Sequence, residues 1–161
     1  MTLAQQDIDA RVQAGFAKAA FINDLGIRPT ACGPGWVEAE LQILPRHSQQ
    51  NGFVHAGVQT TLADHSAGAA AATLILDGFG VLSVEFKVNL LRPALCATLL
   101  CRAEVLKPGK QICVVHAEAS AWADGQKRLF RQAPVTLDDI PLSTTNPRLL
   151  TTASLKCPTT F

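Results

Sequence analysis

An uncharged, alanine-rich stretch in the middle of the chain constrains the fold more than any other feature. Residues 66–76 contain no charged side chain, and most of residues 67–72 are alanine. Apolar residues recur at helical spacing over 57–76, which predicts one long helix. Small side chains on every side let neighbouring backbone approach closely, and the lack of charge indicates burial. The simplest host is a curved sheet wrapped around the helix; an alanine-rich helix on the surface of a bundle is the alternative.

Segments in which polar and apolar residues alternate lie on both sides of this helix. One of them places Val37, Ala39 and Leu41 on the same face, which predicts a half-buried strand. Short turns rich in glycine separate most of these segments, and strands joined by such turns pair antiparallel. The expected fold is therefore α+β, with a curved antiparallel sheet around the long central helix. The six predicted strands span residues 25–32, 36–44, 83–90, 95–106, 111–122 and 129–137.

The two ends of the chain differ from this central part. Within residues 4–22, the apolar residues Ile8, Val12 and Phe16 recur at helical spacing on one stripe, which predicts an extra N-terminal amphipathic helix. From residue 138 onwards the sequence is rich in Ser, Thr and Pro and shows no period. We therefore expect an N-terminal helix over 1–22, a single domain over 23–137 and a C-terminal extension over 138–161.

Composition excludes several classes of protein. Apolar residues make up 48% of the 161 and charged residues 17%, which is too apolar for a disordered chain. The net charge of +1 shows none of the basic excess expected of a nucleic-acid-binding protein. No apolar run is long enough to span a membrane. The N-terminus lacks the basic start of a signal peptide. Five cysteines without a Cys-x-x-Cys pair favour free thiols in the cytoplasm.

Nothing in the sequence calls for a cofactor or a metal. No glycine-rich nucleotide-binding motif is present, so no nucleotide cofactor is expected. The four histidines are scattered and have no spacing typical of metal ligands. The Gly-x-Ser-x-Gly turn that usually carries the serine of a Ser-His-Asp triad is also absent from the sequence.

The segment over residues 49–64 combines three features that point to chemistry. A glycine loop leads into the long helix, where we expect free backbone N–H groups near Gly57 to form an anion or oxyanion site. His55 precedes the helix and is placed to hydrogen-bond local backbone. Asp64 is a single carboxylate in a helix that is otherwise uncharged. Each feature has an ordinary structural explanation, since a histidine often only braces a loop and a helical aspartate is usually exposed.

Taken together, Gly52, His55, Gly57 and Asp64 resemble the motif of the hotdog-fold acyl-CoA thioesterases. The likeness is specifically to the PaaI-like branch, which includes phenylacetate-pathway thioesterases. In that family, a glycine and two intervening residues precede His-x-Gly, and an acidic residue lies nine positions after the histidine. The resemblance covers residues of about 20 to 137. It departs from the commoner motif at Ala56, where a second glycine is usual.

The resemblance implies a role for each motif residue. Asp64 would be the nucleophile or the general base that activates water, and the Gly57 N–H would polarise the thioester carbonyl. Gln49 would orient the thioester or the water, and Ser83 would help to hold the water. His55 completes the predicted catalytic set by fixing the loop. The candidate substrate contacts beside the motif are Asn51, Phe53, Val54 and Arg92.

The resemblance also implies an assembly and leaves two other functions open. A homodimer, and beyond it a tetramer made of two dimers, is expected, with Gln49 and Gly57 from one protomer facing Asp64 and Ser83 of the other. An enoyl-CoA hydratase or dehydratase of the same fold is one alternative function. A non-catalytic acyl-CoA-binding module is another, although such a module would not need the carboxylate.

Overall fold

The computed structural model of the chain describes residues 4–109, 111–123 and 126–141. Three helices and seven strands make up this part, together with a short 3-10 helix at Pro45–His47. Most of the predicted extension over 138–161 lies outside the described residues, although the last strand runs on to Pro141. The helices are α1 (Gln5–Lys18), α2 (Ala20–Leu25) and α3 (Ala56–Ala72). The strands are β1 (Arg28–Gly33), β2 (Trp36–Gln42), β3 (Phe79–Phe86), β4 (Asn89–Leu90), β5 (Thr98–Lys107), β6 (Ile112–Ala123) and β7 (Gln126–Pro141).

The central helix lies against a strongly curled antiparallel sheet, as the small residues of the sequence predict. The strand order is β1-β2-β5-β6-β7-β3, and β4 pairs with β7. Helix α3 contacts every strand of that order. It can do so because Ala67, Ala70 and Ala71 are fully buried and bring its backbone close to the strands. The facing strands are lined partly by alanines too, among them Ala103 and Ala117, which are also fully buried. The structure confirms the predicted α+β hotdog architecture.

The N-terminal helix is present but is broken, where the sequence predicts one helix over 4–22. The predicted stripe of Ile8, Val12 and Phe16 is buried. At Ala19 the backbone becomes extended, and α2 starts at the next residue. The side-chain amide of Asn23 donates to the carbonyls of three residues at this break, which stabilises it. The prediction of a single continuous helix is therefore wrong.

Other predicted boundaries move as well: the central helix, predicted over 57–76, ends at Ala72, and the largest changes among the strands are at the starts of two of them. The strand expected over 25–32 begins only at Arg28, because Gly26 takes a left-handed conformation (φ 83°) that ends α2. The strand expected over 83–90 begins earlier, at Phe79, and is interrupted before the short β4. The sequence assigns residues 77–80 to a turn, but only the first half of that segment turns. The extra length of β3 places it along α3.

Strand β3 ends the strand order and is exposed over most of its length. Several of its large apolar side chains face solvent, although the strand pairs with β7 along one side. These exposed side chains are Phe79, Leu82, Val84 and Phe86. Native sheets seldom leave such an edge uncovered, since it offers unpaired backbone groups and apolar surface to another chain.

Candidate active site

A tight loop carries Gln49 to the surface ahead of α3. The Gln49 N–H donates to the Phe53 carbonyl (2.8 Å), and the Gly52 N–H donates to the Gln49 carbonyl (3.0 Å). Gly52 has a φ of 84°, a left-handed conformation that explains why glycine stands there. The Asn51 N–H donates to Oε1 of Gln49, which fixes the side-chain amide of Gln49 within the loop.

His47 anchors this loop, a role that the sequence analysis did not assign to it. Its side chain is fully buried, and its Nδ1 accepts a hydrogen bond from the Leu44 N–H (3.1 Å). Its carbonyl accepts from the His55 N–H (2.8 Å), which ties the start of the loop to its end. Desolvation by burial lowers the pKa of His47, and the charge of Arg46 acts in the same direction.

His55 caps the start of α3. Its Nδ1 accepts a hydrogen bond from the Gly57 N–H at 2.9 Å, so the imidazole braces the loop as predicted. The same bond corrects a second expectation, that the Gly57 amide is free. A ring nitrogen two residues ahead of the amide is well placed to accept from it, and it satisfies one of the four N-terminal donors that have no partner within the helix. Both residues are exposed, so a ligand can reach this hydrogen bond.

Gln59 lies one turn into α3 and was missed by sequence reasoning. Its side chain is only 3% exposed. The Nε2 group donates to the Val54 carbonyl (3.0 Å), while Oε1 has no hydrogen-bond partner among the described residues. A single glutamine within a helix has no distinctive sequence pattern. Its unpaired oxygen becomes evident only from the burial of the side chain in the folded structure.

Asp64 lies two turns into α3, at the side of the helix that faces β3. Its neighbours Leu62 and Ala63 are buried in the core, but Asp64 itself is half-buried. The Ser83 hydroxyl donates to Asp64 Oδ1 at 2.6 Å. The structure therefore brings the helix carboxylate and the strand serine into direct contact within one chain, as the family resemblance implies. A charge-assisted bond of this kind holds the carboxylate in one orientation.

His65, the residue after Asp64, is a second feature that sequence reasoning missed. Its ring packs edge-on against Phe16 of α1, with ring centroids 4.5 Å apart. Its Nε2 is buried and has no hydrogen-bond partner in the described part of the chain. Desolvation lowers the pKa of His65, and the nearby Asp64 charge opposes that shift only in part.

Two separate cavities border these groups. The Asp64 cavity, of about 330 Å³, lies between α1, α3 and β3 and includes Asp64, His65 and Ser83 in its wall. The Gln49 cavity, of about 400 Å³, lies between the glycine loop, the start of α3 and residues 90–94. No residue lines both cavities. Within one chain, the structure brings Asp64 to Ser83 but leaves Gln49 in a different cavity.

The predicted substrate contacts group mostly around Gln49. Phe53, Val54 and Arg92 line the Gln49 cavity, with Arg92 exposed. Asn51 is exposed on the same loop and is not part of the cavity wall. Within the described ranges there is no cluster of three or more His, Cys, Asp or Glu side chains that could hold a metal ion. No helix in those ranges is long and apolar enough to cross a membrane.

A long helix enclosed by a curled antiparallel sheet, with a carboxylate on that helix and a glycine loop before it, defines a hotdog-fold protein. Residues 51–126 match the thioesterase superfamily. A Haemophilus influenzae protein named as a candidate esterase is 30% identical over 93 residues, which cover 58% of this chain and 67% of that protein. A similarly named Pasteurella multocida protein is 31% identical over 64% of this chain and 74% of its own length. This chain belongs to the thioesterase superfamily.

Solved structures agree with that assignment. A thioesterase family protein from Silicibacter pomeroyi is 37% identical, with a TM-score of 0.80, over 83% of this chain and 98% of the other. The PaaI protein from the E. coli phenylacetic acid degradation operon is 20% identical, with a TM-score of 0.75, over 84% and 95%. At that identity, the PaaI likeness establishes the shared fold.

Proposed function

We propose that this protein hydrolyses acyl-CoA thioesters to a carboxylic acid and free CoA. The observation that carries the proposal is the half-buried Asp64 carboxylate, held by Ser83 at 2.6 Å in the wall of a cavity. A thioester carbonyl is reactive enough for one carboxylate and one or two oxyanion donors to suffice. The thioesterase and esterase names of the relatives support the same reaction class.

Asp64 supplies the attacking group in this reaction. Ser83 engages Oδ1 of the carboxylate, which leaves Oδ2 as the reacting oxygen. It either attacks the carbonyl carbon directly or removes a proton from the water that does. The carbon–sulfur bond then breaks, and the CoA thiolate leaves and takes up a proton. Direct attack forms an anhydride with Asp64, which water hydrolyses in a second step.

Gly57 and Gln49 stabilise the negative charge that develops on the carbonyl oxygen. The Gly57 N–H lies at the positive end of α3 and already donates to an acceptor, the His55 ring. The thioester oxygen replaces the imidazole as the acceptor of this bond. The side-chain NH₂ of Gln49 supplies a second donor from the adjoining loop. Its side-chain oxygen Oε1 accepts a hydrogen bond from the Asn51 N–H, which holds the amide in place.

The complete site is formed by two subunits. Gln49 and Asp64 line different cavities of one chain, so neither cavity contains both the carboxylate and the amide donors. The exposed apolar edge at β3 gives a second chain a place to pair. In the proposed homodimer, Gln49 and Gly57 of one protomer face Asp64 and Ser83 of its partner. Two such dimers form the proposed tetramer.

The cavities suggest how the substrate divides between the subunits. A cavity of about 150 Å³ accommodates benzene, so the Asp64 cavity of about 330 Å³ has room for a larger acyl group. Arg92 at the Gln49 cavity is an exposed cation suited to CoA phosphates, and Phe53 and Val54 provide apolar contact below it. The proposed location is the cytoplasm, whose reducing conditions keep buried cysteines such as Cys101 as thiols.

Release of free thiol from a panel of short, medium, long and aryl acyl-CoAs tests the proposal. We expect saturable hydrolysis of at least one class, with no added cofactor and no loss of rate after exhaustive chelation. Hydration of an enoyl-CoA without thiol release would assign the alternative hydratase reaction instead. Binding of acyl-CoA without any turnover would assign a binding module.

A further inference from the structure

Gln59 is a buried polar residue in the wall of the Gln49 cavity that none of the roles above uses. It is 3% exposed, and it shares this cavity with Gln49, Phe53 and Arg92. Its amide makes one hydrogen bond, from Nε2 to the Val54 carbonyl. Its Oε1 is buried and has no partner among the described residues. An unpaired buried acceptor destabilises the site unless something else donates to it.

The chemistry of this amide fixes which atom is unpaired. A backbone carbonyl only accepts hydrogen bonds, so the group that contacts the Val54 carbonyl must be the NH₂ of Gln59. Rotating the amide by half a turn would place two carbonyl oxygens together at that contact. The remaining atom is therefore an oxygen, and its missing partner must be an N–H or O–H donor.

The thioester group of an acyl-CoA has no N–H or O–H that could donate to Gln59 Oε1. The thioester consists of a carbonyl and a sulfur, which accept hydrogen bonds at most. The nearest donor on the CoA side is the amide N–H of the cysteamine unit, which is two methylene groups from the sulfur. Gln49, which we place at the thioester, lines the same cavity as Gln59, so a thioester held there brings this amide into the cavity.

We propose that Gln59 is a specificity residue whose Oε1 accepts a hydrogen bond from the cysteamine amide of the CoA arm. This inference rests on the proposed thioesterase function and deepens it. The Gln49 cavity then receives the pantetheine arm, with Arg92 at its exposed end, and the acyl group extends the other way, into the partner's Asp64 cavity. The bond positions the substrate and makes the enzyme discriminate against thioesters that lack the amide.

A pair of small substrates tests this hydrogen bond without altering the protein. One is an S-acyl-N-acetylcysteamine, which retains the amide N–H; the other is the matching S-acyl thioester of 2-acetoxyethanethiol, in which an ester oxygen replaces that N–H. The acyl group is one that the acyl-CoA panel shows to be hydrolysed. Each kcat/KM is divided by the rate of spontaneous hydrolysis. We expect the wild-type protein to prefer the amide by about tenfold or more, since the ester leaves Oε1 unpaired and opposes it with a second acceptor.

The variant Gln59→Met separates this role from a structural one. Methionine keeps the length of the side chain but removes the acceptor together with the bond to Val54. Any general damage to the loop lowers kcat/KM for both substrates alike, whereas loss of the proposed bond brings their ratio close to one. Gln13→Met, the same change at an exposed position of α1, should leave the wild-type ratio unchanged.

Two outcomes would overturn the inference. In the first, wild-type protein treats the two substrates within twofold of each other. In the second, Gln59→Met retains the wild-type preference. If that preference is retained while both substrates lose rate equally, Gln59 is a brace of the loop alone. If Gln59→Met does not fold, the wild-type ratio still decides. Failure of the proposed function has a different signature, because wild-type protein would then release no thiol from any acyl-CoA.

Discussion

The Asp64 cavity and the Gln49 cavity are similar in size but contribute different groups to the proposed reaction. The first holds a carboxylate, a serine hydroxyl and an imidazole, which together provide an attacking group. The second holds two side-chain amides and adjoins the start of α3, which provides hydrogen-bond donors for an oxyanion. Both are built on the same helix, about two turns apart. This difference supports the proposal that two copies of the chain pair to complete the site, because one copy carries every proposed group but holds them in separate cavities.

The largest effect is expected from removing the attacking group of the Asp64 cavity. Asp64→Asn keeps the size of the side chain and can still accept from Ser83, so the fold should be retained. We expect kcat to fall by roughly 10²–10⁴, measured as thiol release from the best acyl-CoA. Asp24→Asn, at an exposed position of α2, is the control and should keep full activity. If Asp64→Asn retains more than a tenth of wild-type kcat, the carboxylate is not the reacting group.

Mixing two inactive proteins tests whether the two cavities cooperate across subunits. Gln49→Ala damages one cavity and Asp64→Asn the other. After the two are unfolded and refolded together in equal amounts, half of the dimers should be mixed, and each mixed dimer has one intact site of two. Activity should recover to about a quarter of wild type, while either variant refolded alone stays inactive.

The mixing experiment needs Gln49→Ala to be inactive by itself. If it is not, Gly57→Val takes its place, since a side chain there meets the His55 ring at 3.0 Å and obstructs the oxyanion donor. Inactive dimers that mass spectrometry shows to be mixed would mean that both groups act within one chain.

The hydrogen bond between Ser83 and Asp64 should contribute a smaller effect. Ser83→Ala leaves the carboxylate in place but frees it to rotate. Hydrogen bonds to charged groups contribute roughly 1.5–3 kcal/mol, and part of that remains when water replaces the hydroxyl. We therefore expect kcat to fall by about tenfold with KM little changed. Restoration of activity by Ser83→Thr would support the hydroxyl as the cause, and a wild-type rate in Ser83→Ala would remove Ser83 from the site.

The smallest predicted effect concerns the pH dependence of stability at the Asp64 cavity. Burial lowers the pKa of His65 in the folded protein below its ordinary value of 6.5. Between those two values the unfolded chain binds more protons than the folded one, so the free energy of unfolding falls as the pH falls below about 6.5. His65→Leu should flatten this dependence but not abolish it, because the pKa of His47 is also lowered. Urea unfolding at several pH values measures the effect, and identical pH profiles for both proteins would refute it.

Local pattern was enough to predict most of the elements. Alternation predicted β2, since Val37, Ala39 and Leu41 are all buried, and helical spacing predicted the buried stripe of α1. The pattern did not predict those element boundaries that depend on the backbone conformation of a single residue. The break at Ala19 depends on a capping amide that lies four residues further on, and the start of β1 depends on the left-handed Gly26. Neither leaves a periodic signal in the sequence.

The spacing of the motif made Asp64, His55 and Gly57 candidate site residues, because their relative positions along one segment can be read directly from the sequence. Spacing could not show that the His55 ring occupies the Gly57 amide, since that depends on a side-chain torsion. Residues without a motif were missed altogether. Gln59 and His65 became candidates only through their unpaired buried atoms, which exist only once the surrounding chain has folded.

The sequence by itself determined the central helix, the antiparallel sheet around it and the carboxylate that the helix carries. These follow from side-chain size, period and charge, which are local properties of the chain. Tertiary structure alone decided that Ser83 of β3 reaches Asp64, that Gln49 lies in a different cavity and that the β3 edge is left exposed. Such relations depend on how strands distant in the sequence curl around α3, so no local property of the chain encodes them.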